Sequence, residues 1–566
     1  MKKQKTPTLH ILLIFGALAL AFSLRLIGLG VEPLSNSEAA IALEALSVAR
    51  GEASDVGSFP AVVGLTGLDF LIFNSGNFLA RLWPAMISAL IVLVPFLFRE
   101  QIGLPGSAAA SIILALAPEM IGLSRLLGTP MMALVCLLLG SGFYYRGKPL
   151  LMGISLALGL MSGPGFWLGI IVLGFSILVA DWLFDAASTF NRKRFENRSH
   201  FWLLFGLSFG LVILVVGSRF FMDPQGLSGI LAGLVQFVRG IFQPASTTIG
   251  LRLLSFLAYA GGAFALGAWG IIRGLVGRNK LDLTLIAWAA FGLIFFLVYP
   301  GGGPDYLPNV TLPLWLLAIR AFISSWHFPE NSRLVVTGTA ILVVVVTAFM
   351  LLALRTLIRP GLTQAQQINT LVALIGGLFL LVAVVLLIKF GWAEKVALAG
   401  LLSGLSVVAL VSLMAVSINT TSLSTERSIE LWLAGTPQVT AKWLQVSIDR
   451  VLNWNSKGDE PVEIAVTDFE QPAMVWILRD YQAVNFETYM APTSQPGILI
   501  TDIRALPEIS SAYRGQDLVW SREVLWGEMS AFQYLEWLIT RDAPTQENQI
   551  ILWVRTDLMP DEQFAP

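Results

Sequence analysis

For its first 420 residues the chain alternates long apolar runs with short polar breaks, a pattern that predicts membrane-crossing helices. The runs lie near 9–29, 79–98, 105–121, 130–145, 149–162, 165–184, 200–219, 251–272, 281–299, 309–324, 333–354, 367–388 and 394–417. Apolar runs of about 18–22 residues match the thickness of a bilayer core at helical rise. About 13 spans are therefore expected, the one at 149–162 being the shortest. The first run follows Lys2, Lys3 and Lys5. It is too long for a secretory signal and no small-residue cleavage site follows it, so it reads as a retained span.

Two of the polar breaks are too long to be simple links. Within 31–78, the stretch Ser37–Arg50 carries Ile41, Leu43, Leu46 and Val48 at helical spacing. That predicts a helix lying on the membrane face. Within 220–250, Leu227–Phe242 forms a second such candidate, with Arg239 on it. From about residue 421 the pattern changes. Val462–Thr467, Gly497–Thr501, Leu518–Trp520 and Gln549–Val554 read as short strands, with helices at Pro472–Arg479 and Ala531–Thr540 between them. The expected organisation is a membrane domain over 1–420 and a small α/β domain over 421–566, long enough for its own core.

Composition sharpens this division. The 566 residues are 55% hydrophobic and 13% charged, with a mean hydropathy of +0.74, too apolar for a water-soluble protein of this length. Up to residue 420 there are 26 Lys/Arg against 16 Asp/Glu; after it there are 10 against 21. The acidic tail argues against nucleic acid as a partner. A single cysteine, Cys136, excludes intrachain disulfides and thiolate metal clusters.

Charge also predicts orientation. With the N-terminus cytoplasmic, every lysine of the membrane half (Lys2, Lys3, Lys5, Lys148, Lys193, Lys280, Lys389 and Lys395) falls inside, and the run Asn191-Arg192-Lys193-Arg194 is the clearest marker. An odd number of spans then places the C-terminal domain outside the cytoplasm, on a plasma-membrane protein.

This topology shortens the search for chemistry. His10, His200 and His327 fall at the cytoplasmic side, leaving carboxylates and arginines outside. The carboxylates are Glu32, Glu38, Glu44, Glu52, Asp55, Asp69, Glu119, Asp223 and Asp305; the arginines include Arg50, Arg81, Arg125, Arg219, Arg239 and Arg252. A carboxylate can take a proton from an acceptor hydroxyl or amine, and arginine can hold a phosphate leaving group. A sugar carried on a lipid phosphate calls for both and requires no cofactor. A divalent metal, if used, would have oxygen ligands.

Several stretches resemble one family. They are Leu24-Arg25-Leu26 with Pro33-Leu34-Ser35-Asn36-Ser37-Glu38-Ala39, then Phe78-Leu79-Ala80-Arg81-Leu82-Trp83-Pro84-Ala85, and Leu116-Ala117-Pro118 with Leu123-Ser124-Arg125. Leu158–Pro164, and Tyr306-Leu307-Pro308 with Leu312-Pro313-Leu314, complete the series. In order and spacing they resemble the integral-membrane GT-C glycosyltransferases, including the family 39 protein mannosyltransferases and the aminoarabinose transferases. The resemblance implies a polytopic α-helical GT-C fold, a polyprenyl-phosphate-linked sugar donor and an extracytoplasmic acceptor. It gives Glu38 the role of general base, or of metal ligand as in some relatives. It puts Arg81 and Arg125 near the donor cavity and Tyr306 at its rim. Arg239 and Arg252 are candidates for anchoring a lipid phosphate.

The family's charged pattern is interrupted. Ser37 stands where an Asp precedes the acid, Thr129-Pro130 replaces an acidic residue, Asp305 a basic one, and Ser162 another basic one. Two readings stay open: a transferase relying on Glu38 alone, and a GT-C-fold protein that binds lipid-linked glycans, or supports their flipping or assembly, without transferring them. Each site residue also has a plain structural alternative. Glu38 suits the first turn of a helix capped by Asn36 or Ser37. Arg81 and Arg239 suit the headgroup level, Arg125 the capping of helix-end carbonyls, Asp305 a turn, Tyr306 an aromatic belt and Trp476 a packed core.

Overall fold

A computed structural model describes residues 6–52, 56–184, 198–245, 247–325, 332–359, 361–421, 430–433, 442–455, 461–489, 494–505 and 511–559. Lys2, Lys3, Lys5, Asp55, His327 and the run Asn191–Arg194 lie outside the described residues.

Each of the expected apolar runs is helical. Among the described residues, eleven helices are long and apolar enough to cross a membrane, or twelve when one bent pair is taken as a single span. The bent pair is α5 (Leu104–Leu116) and α6 (Pro118–Ser124), which turn by 57° at Ala117. Pro118 causes the break: it starts the second helix, and the residue before a proline is driven to extended backbone.

Two expected spans fall short. Met131–Tyr145 has 15 residues and Pro149–Leu160 has 12, too few to meet the length of a bilayer crossing by themselves. Conversely, Pro224–Phe242, whose part Leu227–Phe242 reads from sequence as a surface helix, is as long and apolar as a span. The apolar helix Pro60–Phe73 inside the first long break was not anticipated.

The first long break holds the elements that build the site. α1 (Thr6–Leu26) is the first span, α2 (Asn36–Arg50) follows, then α3 (Pro60–Phe73) and α4 (Asn77–Ala89). α2 begins in a capping box: the Ser35 hydroxyl accepts from the Glu38 N–H while the Glu38 carboxylate accepts from the Ser35 N–H. It ends at Gly51, whose φ of 70° is the left-handed conformation that glycine adopts freely.

The C-terminal region forms a five-stranded mixed sheet in the order β2-β1-β3-β5-β4, with β1 Ile464–Thr467, β2 Val484–Glu487, β3 Ile498–Asp502, β4 Tyr513–Val524 and β5 Thr545–Arg555. β2, β1 and β3 are parallel, while β5 pairs antiparallel with β3 and β4. Helix Pro472–Leu478 crosses from β1 to β2 and packs on α2. The sheet region shares one apolar core with the first-loop helices: Ala39, Ala42 and Leu46 belong to the same buried cluster as Ile464, Trp476 and Ile500. Trp476 is packed as expected, and its indole N–H donates to Asn77 Oδ1 at 2.8 Å. Asn36 adds two seam bonds, to Gln471 Oε1 and from the Ala473 N–H, both at 3.1 Å.

Candidate functional site

The site is built around the end of α1. The last carbonyls of any helix lack intrahelical partners; here Arg125 supplies two of them, and Arg81 serves the loop that follows. Arg125 Nη1 donates to the carbonyls of Leu24, Arg25 and Ile27 at 3.1, 3.2 and 2.7 Å. Arg81, from α4, donates to the carbonyls of Leu29, Glu32 and Pro33 at 3.3, 3.0 and 3.0 Å. Its Nε and Nη2 grip Glu38 as a fork, at 2.8 Å to Oε1 and 2.7 Å to Oε2. All five donors of Arg81 are thereby used.

Glu38 is equally occupied. Besides Arg81, Oε1 accepts from the Leu127 N–H at 3.1 Å, and Oε2 accepts from the Ser35 N–H and hydroxyl at 3.0 and 3.1 Å. A carboxylate offers about four lone-pair sites, and these donors fill them. Glu38 and Arg81 are also sealed from solvent, each about 2% exposed. The structure thus brings together three residues that the sequence pointed to, Glu38, Arg81 and Arg125, in an arrangement that ties α1, α2, α4 and the turn after α6 into one joint.

A small void of about 20 Å³, room for about one water molecule, lies beside this joint, lined by Glu32, Arg81, Gly122, Arg125, Thr420 and Trp432. Glu32 is its carboxylate. Burial pushes its carboxyl above the ordinary value, Arg81 and Arg125 pull it back, and Glu38 adds to the upward push. Sequence reasoning had placed Glu32 among the nine outside carboxylates without singling it out, because no motif marks it.

Behind the void lies a second acid–arginine pair. Arg25 on α1 and Glu119 on α6 are both fully buried. Arg25 Nη1 reaches the Ala21 carbonyl at 3.3 Å, but its Nε and Nη2 and both Glu119 oxygens lack a well-formed hydrogen bond. Thr311 and Arg25 are the polar neighbours of Glu119.

The remaining candidates lie elsewhere. Tyr306 is buried against Tyr299, ring centroids 5.9 Å apart and nearly perpendicular. Asp305 faces Arg252, whose guanidinium is spent on the carbonyls of Phe296, Tyr299 and Gly302 at the end of helix Lys280–Val298. Arg239 is exposed on helix Gly229–Phe242. Glu44 pairs with Arg219, which also holds Asp223 at 2.6 Å. Among the described residues no three His, Cys, Asp or Glu side chains converge as a metal site. Nor do the acids near the void suit a cation: Glu38 is committed to Arg81, and Glu32 stands beside two guanidinium groups.

No protein-family model matches the sequence, and no curated protein sequence matches it. Among solved structures, ArnT from Cupriavidus metallidurans bound to undecaprenyl phosphate superposes with a TM-score of 0.52 at 14% identity, over 98% of this chain and 99% of that one. The apo state of the same protein gives 0.49 at 15% identity over the same shares. The superposition with the undecaprenyl phosphate complex covers both the helical bundle and the C-terminal sheet, so this chain, with its many membrane-length apolar helices, is an integral membrane protein with the fold of ArnT.

Proposed function

We propose that the protein is a glycosyltransferase that takes a sugar from a polyprenyl-phosphate donor, with the void at the end of α1 marking its reaction site and Glu32 as its base. What supports this is the placement of Glu32: its carboxyl, raised above the ordinary value by burial, shares a small void with two guanidinium groups, in the fold of a protein solved with undecaprenyl phosphate bound. In the reaction the bond between the sugar anomeric carbon and the phosphate oxygen breaks, and a bond to the acceptor oxygen or nitrogen forms. The acceptor proton goes to the Glu32 carboxylate, and the phosphate leaves on its lipid. A carboxyl lifted by burial is a stronger base than one in water. Arg81 and Arg125 favour the leaving phosphate through their charge. Glu38 holds Arg81 in place, acting as a positioning residue.

One observation favours a second reading, lipid-linked glycan binding without transfer: every donor of Arg81 is spent within the protein, so none is free to fork onto a phosphate. Incubation of purified protein with radiolabelled polyprenyl-phosphate sugars and candidate acceptors, with mass spectrometry of the products, separates the two. Turnover that falls on the order of 10²–10⁴-fold in Glu32→Gln, with the melting temperature retained, supports the first. Binding without turnover across the panel supports the second. Normal turnover in Glu32→Gln removes Glu32 as the base.

A further inference from the structure

A roomier cavity lies at the far end of the bundle. It has a volume of about 470 Å³ and sits where helix Ile249–Gly277 meets helix Pro308–Ser325 and the start of helix Lys280–Val298. Small-molecule sites occupy about 300–1,000 Å³. Near the start of helix Ile249–Gly277, Arg252 donates to the carbonyls of Tyr299 and Gly302, and the Ala258 carbonyl accepts from Arg541 of the sheet region. Arg273, which lines the cavity, follows Arg252 on the same helix by 21 residues, or about 30 Å of helical rise. That is the thickness of a bilayer core. The cavity therefore sits at the membrane face opposite to the sheet region.

Two guanidinium groups form its polar side. Arg320 is held in place: its Nε pairs with Asp282, and its Nη1 donates to the Gln101 carbonyl at 3.0 Å. Arg273 donates from Nη1 to the Arg320 carbonyl at 3.2 Å. Among the described residues, Arg273 Nε and Nη2 and Arg320 Nη2 donate to no protein group. Asp282 is the one carboxylate among the lining residues, so the cavity is net positive.

The rim has the opposite character. Val276 lines the cavity and is 83% exposed, and Ile272 and Leu275 beside it are exposed as well. An exposed apolar rim at a membrane face meets acyl chains. A ligand can then keep a charged group on the arginines and its tails on the rim. Lys280, one of the lysines whose distribution predicts the cytoplasmic side, directly follows Asn279 in the cavity wall. Anionic lipids concentrate in that leaflet, and basic pockets between spans take their head groups.

We propose that this cavity binds the phosphate of a net-anionic phospholipid, with Arg273 and Arg320 as its ligands and Ile272, Leu275 and Val276 along its acyl chains. Asp282 and the Gln101 carbonyl preset Arg320, and Arg273 adds the free edge of its guanidinium. A planar guanidinium matches two phosphate oxygens, which a point charge does not. The proposal does not rest on the transferase reading.

The test is native mass spectrometry of the full-length protein in mild detergent, titrated with phosphatidylglycerol, phosphatidylcholine or inorganic phosphate. Wild type should hold one phosphatidylglycerol about tenfold more tightly than phosphatidylcholine, whose ammonium cancels the phosphate charge, and millimolar inorganic phosphate should not displace it. Arg273→Gln should weaken phosphatidylglycerol binding about tenfold, the worth of about one charge-assisted bond, while its lipid-free melting temperature stays at that of wild type. Arg273→Lys keeps the charge without the fork, should lose less, and guards against a misfolded glutamine variant. Arg278→Gln removes an exposed arginine of the same face that does not line the cavity. Its binding should stay within about twofold of wild type, which separates a built site from the general pull of surface charge.

Three results overturn the proposal: equal retention of the two phospholipids by wild type, unchanged phosphatidylglycerol binding in Arg273→Gln, or an equal loss in Arg278→Gln. Displacement of the lipid by inorganic phosphate would make the cavity a site for a soluble anion and overturn the lipid assignment.

Discussion

Two buried acid–arginine pairs flank the end of α1, and they are opposites. Glu38 and Arg81 meet as a fork, and every remaining donor and acceptor on them is matched by backbone or by Ser35. Arg25 and Glu119 are at least as deeply buried, attract each other through space and leave most of their polar atoms without a partner. A charge taken out of water costs several kcal/mol unless pairing and hydrogen bonds replace its hydration. By that measure the first pair is a structural joint, and the second is a cost that the surrounding bundle bears. The difference also bears on function: a charge at the expected position is available for chemistry only where its bonding capacity is unfilled.

The largest effect is expected at the joint. Glu38→Ala, or Arg81→Met, leaves one buried charge uncompensated, and Arg81→Met also frees the carbonyls of Leu29, Glu32 and Pro33. The expected cost is about 3–5 kcal/mol, read as a large drop in melting temperature in detergent and in folded yield. A Glu38→Ala protein that melts like wild type would show that the fork contributes nothing. Turnover lost in such a variant would report the collapse of the joint before it reported on catalysis.

The opposite sign is expected for the second pair. Arg25→Met with Glu119→Met removes two unsatisfied charges and puts apolar volume in their place. Such exchanges are neutral or stabilising by about 1–4 kcal/mol. Each single change should be worse than the double, because it strands the other charge, so a double-mutant cycle would show strong coupling. A double variant clearly less stable than wild type would mean that the two groups are bridged by something that satisfies them both.

A smaller effect is expected at the seam between the first loop and the sheet region. Asn36→Ala removes the bond to Gln471 and the acceptor for the Ala473 N–H, at about 1–2 kcal/mol. Hydrogen exchange should then rise in helix Pro472–Leu478. No change there would mean that the shared apolar core alone holds the seam.

Much of this was legible beforehand, and what was missed has a physical reason. The bundle was readable because apolar run length is a direct consequence of the solvent. The first strands of the sheet were readable because they are apolar throughout. β4 was expected only at Leu518–Trp520, since the rest of Tyr513–Val524 is a polar edge, and β2 alternates apolar and polar residues over only four positions, too short a run to stand out. The spacing Ser35-x-x-Glu38 already spells a capping box, yet the cap was sought one or two residues later, at Asn36 or Ser37. Arg125 does cap helix-end carbonyls, the structural alternative considered for it, though those of α1, about 100 residues away in sequence. Glu32 and Trp432 could not be found from local pattern at all. They line one void only because distant loops meet in space, and 400 residues separate them.

The finest test of the contrast is the pH dependence that Glu32 should impose. Its carboxyl is raised in the folded chain, mainly by burial, so between the ordinary carboxyl value and the raised one the folded state binds more protons than the unfolded state. Stability then falls as pH rises through that window, and the deficit persists above it. Glu32→Gln keeps the shape and removes the charge, so its melting temperature should run close to that of wild type below the ordinary carboxyl value and above it once pH has risen past that value. Curves that stay parallel would mean that the two arginines cancel the effect of burial. A variant that instead falls below wild type as pH rises would make Glu32 a second stabilising partner of Arg81 and Arg125. Glu32 would then join Glu38 on the satisfied side of the contrast, leaving Arg25 and Glu119 as the unsatisfied one.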